Sequence, residues 1–183
     1  MAQIYILDYI AMLAPRKRLW STPTSAVDAI SSLSELTPTD KVYDLGCGDC
    51  RVLIHLAKTT KCKHFVGVEI DADRAEEARQ NILRENLCPS IHIDIKCENA
   101  LETEFDDATV VFLYLVPRGL ALIYPRLMDV ADKRKKEYKD LRVVTYMSQL
   151  KNEKYSKMLK CSVDHQPLAA WPIYMYHFSN IKK

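Results

Sequence analysis

The segment DLGCGDCR, Asp44 to Arg51, joins a short apolar run, KVYDL (41–45), to a run with helical spacing, RVLIHLAKTT (51–60). A strand that turns through two glycines one residue apart and enters a helix at once leaves few folds open. The glycines permit a tight turn and close backbone approach to a ligand, and the helix start presents free N–H groups toward it. The same residues carry a second pattern. Cys47 and Cys50 form a C-x-x-C, the spacing of a dithiol redox centre or of half a zinc site. A redox dithiol needs neither glycine, and no further C-x-x-C or Cys/His pair completes four zinc ligands. Cys62, Cys88, Cys97 and Cys161 stand alone.

The flanking pattern alternates. HFVGVEI (64–70) is β-branched and aromatic, DADRAEEARQNILREN (71–86) is a charged amphipathic helix, and IHIDIKC (91–97) alternates as a strand does. ATVVFLYLV (108–116) is a continuous apolar run of the kind buried on both faces of a parallel sheet. After Pro117 a helix through about Val130 is expected, then LRVVTYM (141–147) as a strand. SVDHQPL and PIYMYHF follow as an antiparallel hairpin turning around Ala169 to Pro172. Alternating strands and helices predict an α/β, doubly wound, mostly parallel sheet. The charge run DKRKKEYKD (132–140) reads as a solvated helix end and loop.

Composition narrows the class. At 183 residues, 48% hydrophobic and 27% charged, the chain reads as one soluble globular domain. A net charge of +2 gives no argument for an extended nucleic-acid surface. Six scattered cysteines suit a reducing, intracellular compartment, cytoplasmic with the mitochondrion as the other candidate. The apolar stretch 2–14 is interrupted by Asp8, lacks a preceding basic residue and is too short to span a bilayer. Residues 1–20 are therefore read as an N-terminal helix or extension, packed on the domain or in weak contact with a membrane surface, and 21–183 as the domain itself. A monomer or weak dimer is expected.

The loop also separates nucleotide cofactors. The dinucleotide fingerprint needs a third glycine at position 51, which is Arg51. Asp44, two residues before the first glycine, would meet a cationic group well and a pyrophosphate badly, since like charges repel in a poorly solvated site. The cofactor with an ammonium and a sulfonium but no phosphate is S-adenosyl-L-methionine. Glu69 ends the next strand, 21 residues after Gly48, where doubly wound nucleotide folds keep a ribose-binding carboxylate.

On these residues the chain resembles the class I S-adenosylmethionine-dependent methyltransferases. DLGCGDCR is similar to their first glycine loop, VGVEID to their ribose-binding strand end, and CENAL (97–101) to the segment at the adenine edge. The resemblance implies a Rossmann-like methyltransferase fold: an α/β, doubly wound, mostly parallel seven-stranded sheet with helices on both faces and a C-terminal antiparallel hairpin. It implies that Asp44, Gly46 and Gly48 hold the methionine part, Glu69 the ribose with Ile70 beside the adenine, and Asn99 with Ala100 the adenine rim. Thr22, Cys47 and Tyr114 complete the cofactor-binding set, no metal is called for, and S-adenosyl-L-homocysteine is the product. Cys50 stands where a third glycine is common in this loop, which crowds the helix start.

The acceptor is read from the next segment. The Asn/Asp-Pro-Pro-aromatic tetrad of enzymes that methylate planar nitrogens is replaced by FLYLVPRG (112–119). That segment, with WSTPTSAVDAI (20–30), resembles small relatives of the protein-lysine methyltransferases that modify the ATP synthase c subunit; Trp20, Thr22 and Pro23 match the aromatic-x-Thr-Pro that leads into their first helix. The implied partner is a protein substrate, with nucleic acid disfavoured. Tyr114 is expected to orient the acceptor, or else to be one more core aromatic. His55, His64 and His92 are expected to be structural. An RNA or small-molecule methyltransferase, and a non-catalytic S-adenosylmethionine binder, remain as alternatives.

Overall fold

Strand β1 (Lys41–Leu45) is buried at four of its five positions because neighbours pair with it on both sides. In the computed structural model, which describes residues 21–137, 139–163 and 166–179, the sheet order is β3-β2-β1-β4-β5-β7-β6. Here β2 is His64–Glu69, β3 His92–Cys97, β4 Val110–Leu113, β5 Leu141–Tyr146, β6 Lys157–Val163 and β7 Gln166–Phe178. The first five strands are parallel and β7 runs antiparallel between β5 and β6. The expected α/β, doubly wound, seven-stranded sheet is therefore present. The N-terminal reading of residues 1–20, Trp20 included, lies outside the described residues.

The apolar face of each helix determines its side of the sheet. Helices α1 (Thr24–Ser34), α2 (Arg51–Thr59) and α3 (Ala72–Arg84) bury Ile30, Leu53 and Ala75 against Val42, Phe65 and Phe112. Helix α4 (Pro117–Lys136) buries Ile123 and Leu127 on the opposite face, against Leu45, Val111 and Val143. Strand order reverses between β1 and β4, so a crevice opens at the carboxyl ends of these two strands.

Three boundaries differ from expectation. β4 covers four residues rather than 108–116. Thr109 is held out of it by donating its hydroxyl to the Asp40 carboxylate at 2.6 Å, and Pro117, with no N–H, drives Val116 extended before opening α4. α4 runs to Lys136, beyond Val130, since Lys133 to Lys136 place positive charge on its C-terminal dipole. The hairpin turns between Val163 and Gln166, not around Ala169 to Pro172, which lie within β7. β6 is the sheet edge, so Lys157 and Lys160 face solvent and its sequence shows no apolar alternation; a bulge between Ser162 and Val163 shifts the register.

Candidate functional site

The glycine loop is built by backbone conformation and by the strand beside it. Gly46 (φ 104°) and Gly48 (φ 54°) both occupy the region that L side chains avoid. The N–H groups of Gly46 and Cys47 donate to the Val68 carbonyl at 2.8 and 2.9 Å, which ties the turn to the end of β2. Cys50, at φ 67°, takes the same left-handed conformation as the cap of α2, so it occupies a position suited to glycine. A Cβ on Gly46 would meet only Leu115 Cδ2 at 3.7 Å; its constraint is the dihedral angle rather than space.

The cysteines are structural. A Cβ added to Gly67 in β2 would lie 2.7 Å from Cys47 Sγ, so the Cys47 side chain packs onto the bare backbone of that glycine. Cys50 is fully buried. Burial pushes both thiols well above the usual cysteine range, and the Asp44 carboxylate adds to the shift. A thiol held protonated in this way is neither a redox nucleophile nor a metal ligand. Among the described residues no group of three or more His, Cys, Asp or Glu side chains is placed to hold a metal ion.

The two acids behave differently. Glu69 is buried, and its carboxylate accepts from the Gly48 N–H and the Asp71 N–H, both at 3.0 Å. It thus fixes the loop across to the start of α3. Asp44 is 2% exposed, and its carboxylate accepts no hydrogen bond from the described residues. Burial pushes its carboxyl up to about 8, helped by the negative charges of Glu69 and Asp49. A buried acid that faces a cleft is suited to receive a cation, because a positive group would restore its ionised form. This fits an ammonium, whereas a phosphate would keep the acid protonated and form no ion pair with it.

Ser21, Thr22, Asp44, Gly46, Phe112 and Tyr114 line that cleft, with Cys47, Gly48 and Asp49 along the loop and Arg51 and Val52 at the start of α2. Asp49 is paired with Arg51, whose Nε lies 3.0 Å from both carboxylate oxygens. Of the residues expected to hold a cofactor, Thr22, Asp44, Gly46, Cys47, Gly48 and Tyr114 are brought together here, with Glu69 attached through Gly48. Ile70, Asn99 and Ala100 are half-buried on the adjoining strand ends and do not line it. Asn99 spends its side chain on a turn, accepting from the Leu101 N–H at 3.0 Å.

Tyr114 lines the cleft and also packs into the core. Its ring packs edge-on against Tyr146, with centroids 4.8 Å apart, and its hydroxyl donates to Met147 Sδ at 3.3 Å. Burial raises its pKa, so the phenol stays neutral and acts by hydrogen bonding. Sequence reasoning missed Met147. It follows the last residue of β5 with φ 67°, held by its N–H to the Pro172 carbonyl at 2.8 Å; its position just past a strand's carboxyl end was the available signal. His64 and His92 stack on each other away from the cleft, and His55 bonds Asp28 at 2.9 Å.

The family model described as ANTKMT methyltransferase domain matches residues 44–157. A protein-lysine N-methyltransferase of Saccharolobus islandicus is 36% identical over 106 residues, covering 58% of this chain and 65% of that protein. An uncharacterized RNA methyltransferase of Chlorobaculum tepidum is 25% identical over 112 residues, covering 60% of this chain and 23% of that protein. The chain therefore spans less than two thirds of either relative. An RNA methyltransferase of Salinibacter ruber, solved in complex with S-adenosyl-L-homocysteine, shares the fold with a TM-score of 0.72 at 24% identity, covering 89% of this chain and 96% of that one.

Proposed function

This chain belongs to the ANTKMT methyltransferase family, and we propose that it transfers a methyl group from S-adenosyl-L-methionine to the side-chain amine of a protein lysine. The observation that carries the cofactor half is Asp44, a buried acid with no donor among the described residues, at the carboxyl end of β1. When bound, S-adenosylmethionine supplies an electrophilic methyl group on a sulfonium. Asp44 would hold the ammonium of its methionine part, the Gly46 to Gly48 backbone would allow close approach, and Glu69 would accept from the ribose hydroxyls. Ile70, Asn99 and Ala100 would border the adenine.

The chain's remaining task is alignment. Phe112 and Tyr114 give the mouth an apolar and aromatic wall, which excludes water and favours a neutral amine over an ammonium. Tyr114 would orient that amine in line with the transferring group. No general base is required of the wall, because a lysine amine that arrives deprotonated can be alkylated directly. The likeness to a protein-lysine N-methyltransferase at 36% identity supports the lysine acceptor over RNA.

The test uses methyl-labelled cofactor and extract from the protein's own cells, with the product divided between protease and nuclease. Label released by protease and recovered as methylated lysine is the expected result. Label released by nuclease would overturn the acceptor and leave the cofactor assignment standing. No label in either polymer would exclude both macromolecular acceptors.

A further inference from the structure

Tyr114 lines the cleft from just past the end of β4, and Met147 decides what its hydroxyl can do there. The phenol donates to Met147 Sδ at 3.3 Å and has no other hydrogen-bond partner among the described residues. The direction of this bond is fixed, since a thioether sulfur accepts weakly and has no hydrogen to give. The neighbouring Tyr146 does not compete. Its ring meets Tyr114 edge-on, while its own hydroxyl is bonded to Cys161, whose Sγ donates in turn to the Trp171 carbonyl at 3.4 Å. The Tyr114 hydrogen is therefore committed to the wall, and its oxygen keeps lone pairs for the cleft.

A strained turn carries Met147. The Ser148 N–H donates to the Tyr146 carbonyl at 2.9 Å, which closes a three-residue turn with a positive φ of 67° at its centre, the rare form of such turns. A non-glycine residue holds this conformation only where its surroundings over-determine it. Two further hydrogen bonds do so. The Met147 N–H donates to the Pro172 carbonyl of β7 at 2.8 Å, and the fully buried Thr145 donates its hydroxyl to the Ser148 carbonyl at 2.6 Å. The turn thus places the sulfur beside the Tyr114 hydroxyl, at the carboxyl end of β5.

We propose that Met147 is the positioning residue for Tyr114: by taking the phenol hydrogen, it leaves the Tyr114 oxygen as an acceptor only, facing the amine that is to be methylated. The proposal rests on the lysine reading above. A neutral lysine amine has two N–H groups to give and one lone pair, and that lone pair must stay free to attack. A phenol that accepts an N–H turns the lone pair toward the transferring carbon, whereas a phenol that donates occupies it. The nitrogen then forms the new N–C bond as the S–C bond breaks, the electron pair of that bond stays on sulfur, and the surplus proton on nitrogen leaves to solvent.

The test is a double-mutant cycle on Met147→Leu and Tyr114→Phe. It is read as initial rates of label transfer from saturating methyl-labelled S-adenosylmethionine into protein of an extract from the protein's own cells. Leucine keeps the volume of methionine but cannot accept, so Met147→Leu is expected to slow transfer by about two- to tenfold, the worth of one neutral hydrogen bond. Its calorimetric affinity for S-adenosyl-L-homocysteine is expected to match the wild type. In the Tyr114→Phe background the same substitution is expected to slow transfer no further, because no phenol hydrogen is left to hold. A second readout needs no turnover: with 13C-labelled methionine methyl groups, Tyr114→Phe is expected to move the Met147 resonance of the ligand-free protein. An unchanged rate in Met147→Leu, an equal loss in the Tyr114→Phe background, or an unmoved Met147 resonance would overturn the positioning role and leave the lysine reading standing. Absence of label in protein with the wild type would overturn both.

Discussion

Replacing Asp44 by asparagine should move stability and binding in opposite directions. The Asp44 carboxyl is pushed up to about 8 in the folded protein by burial and by the charges of Glu69 and Asp49. A carboxyl in an unfolded chain titrates near 3.9. Because the folded value lies above the unfolded one, the native state takes up a proton that the unfolded chain releases. The stability this allows is fully present below about pH 4 and is lost as pH rises toward about 8. At pH 7 the gap is about three units, or on the order of 4 kcal/mol against folding at 1.36 kcal/mol per unit. Asparagine carries no such cost, so Asp44→Asn should raise the melting temperature of the ligand-free protein by about 10 °C at pH 7. The rise should shrink toward zero at pH 4. The same substitution removes the counter-charge for the cofactor ammonium and should weaken S-adenosylmethionine binding by about 1.5–3 kcal/mol, or 10- to 100-fold. A proton count gives an independent sign. A carboxyl half-titrated near pH 8 is about nine-tenths protonated at pH 7, so binding should release close to one proton in the wild type and none in the variant. Calorimetry in buffers of different ionisation enthalpy measures this release. A destabilised Asp44→Asn protein that still binds S-adenosylmethionine normally would show that Asp44 is neither a costly buried acid nor the partner of the ammonium.

Other perturbations test separate parts of the site. Cys47→Ser with Cys50→Ser should leave cofactor affinity largely intact by calorimetry, whereas Gly46→Val should abolish it, since valine cannot adopt φ 104° without strain. Gly67→Ala should cost about 1–3 kcal/mol in chemical denaturation, because the new methyl meets Cys47 Sγ at 2.7 Å and Ile95 Cδ1 at 2.8 Å; adding Cys47→Ala should recover part of the loss. Glu69→Ala should weaken the cofactor by about 1.5–3 kcal/mol and speed amide exchange at Gly48 and Asp71, whose N–H groups it holds. Tyr114→Phe should lower kcat more than it raises the cofactor Kd, while methylation in the wild type rises with pH as the acceptor lysine deprotonates; an unchanged kcat would reduce Tyr114 to a core aromatic.

What could be read in advance followed from local physics. The strand cores and the glycine loop were legible because apolar runs, β-branching and paired glycines act within a few residues, and the sheet class followed from their alternation. The limits of β4 and α4 were not, since they depend on Thr109 reaching Asp40 across the fold and on a charged helix end stabilised by its own dipole. The hairpin turn was misplaced because β6 is an edge strand whose lysines hide its period. The tight turn at Gly46 and Gly48 was legible in their spacing, yet the hold of Glu69 on the Gly48 and Asp71 N–H groups and the packing of Cys47 on Gly67 required three-dimensional neighbours.

The cleft at the carboxyl end of β1, with a buried acid and a glycine loop, suits a cationic adenosyl ligand without phosphate. Calorimetric titration of the wild-type protein with S-adenosylmethionine, ATP and NAD under one buffer condition tests it most directly. Saturable one-to-one binding of S-adenosylmethionine is expected, with ATP and NAD weaker by about tenfold or more, because their phosphates cannot pair with Asp44 and would meet the Glu69 carboxylate. Binding of ATP or NAD as tight as that of S-adenosylmethionine would contradict it.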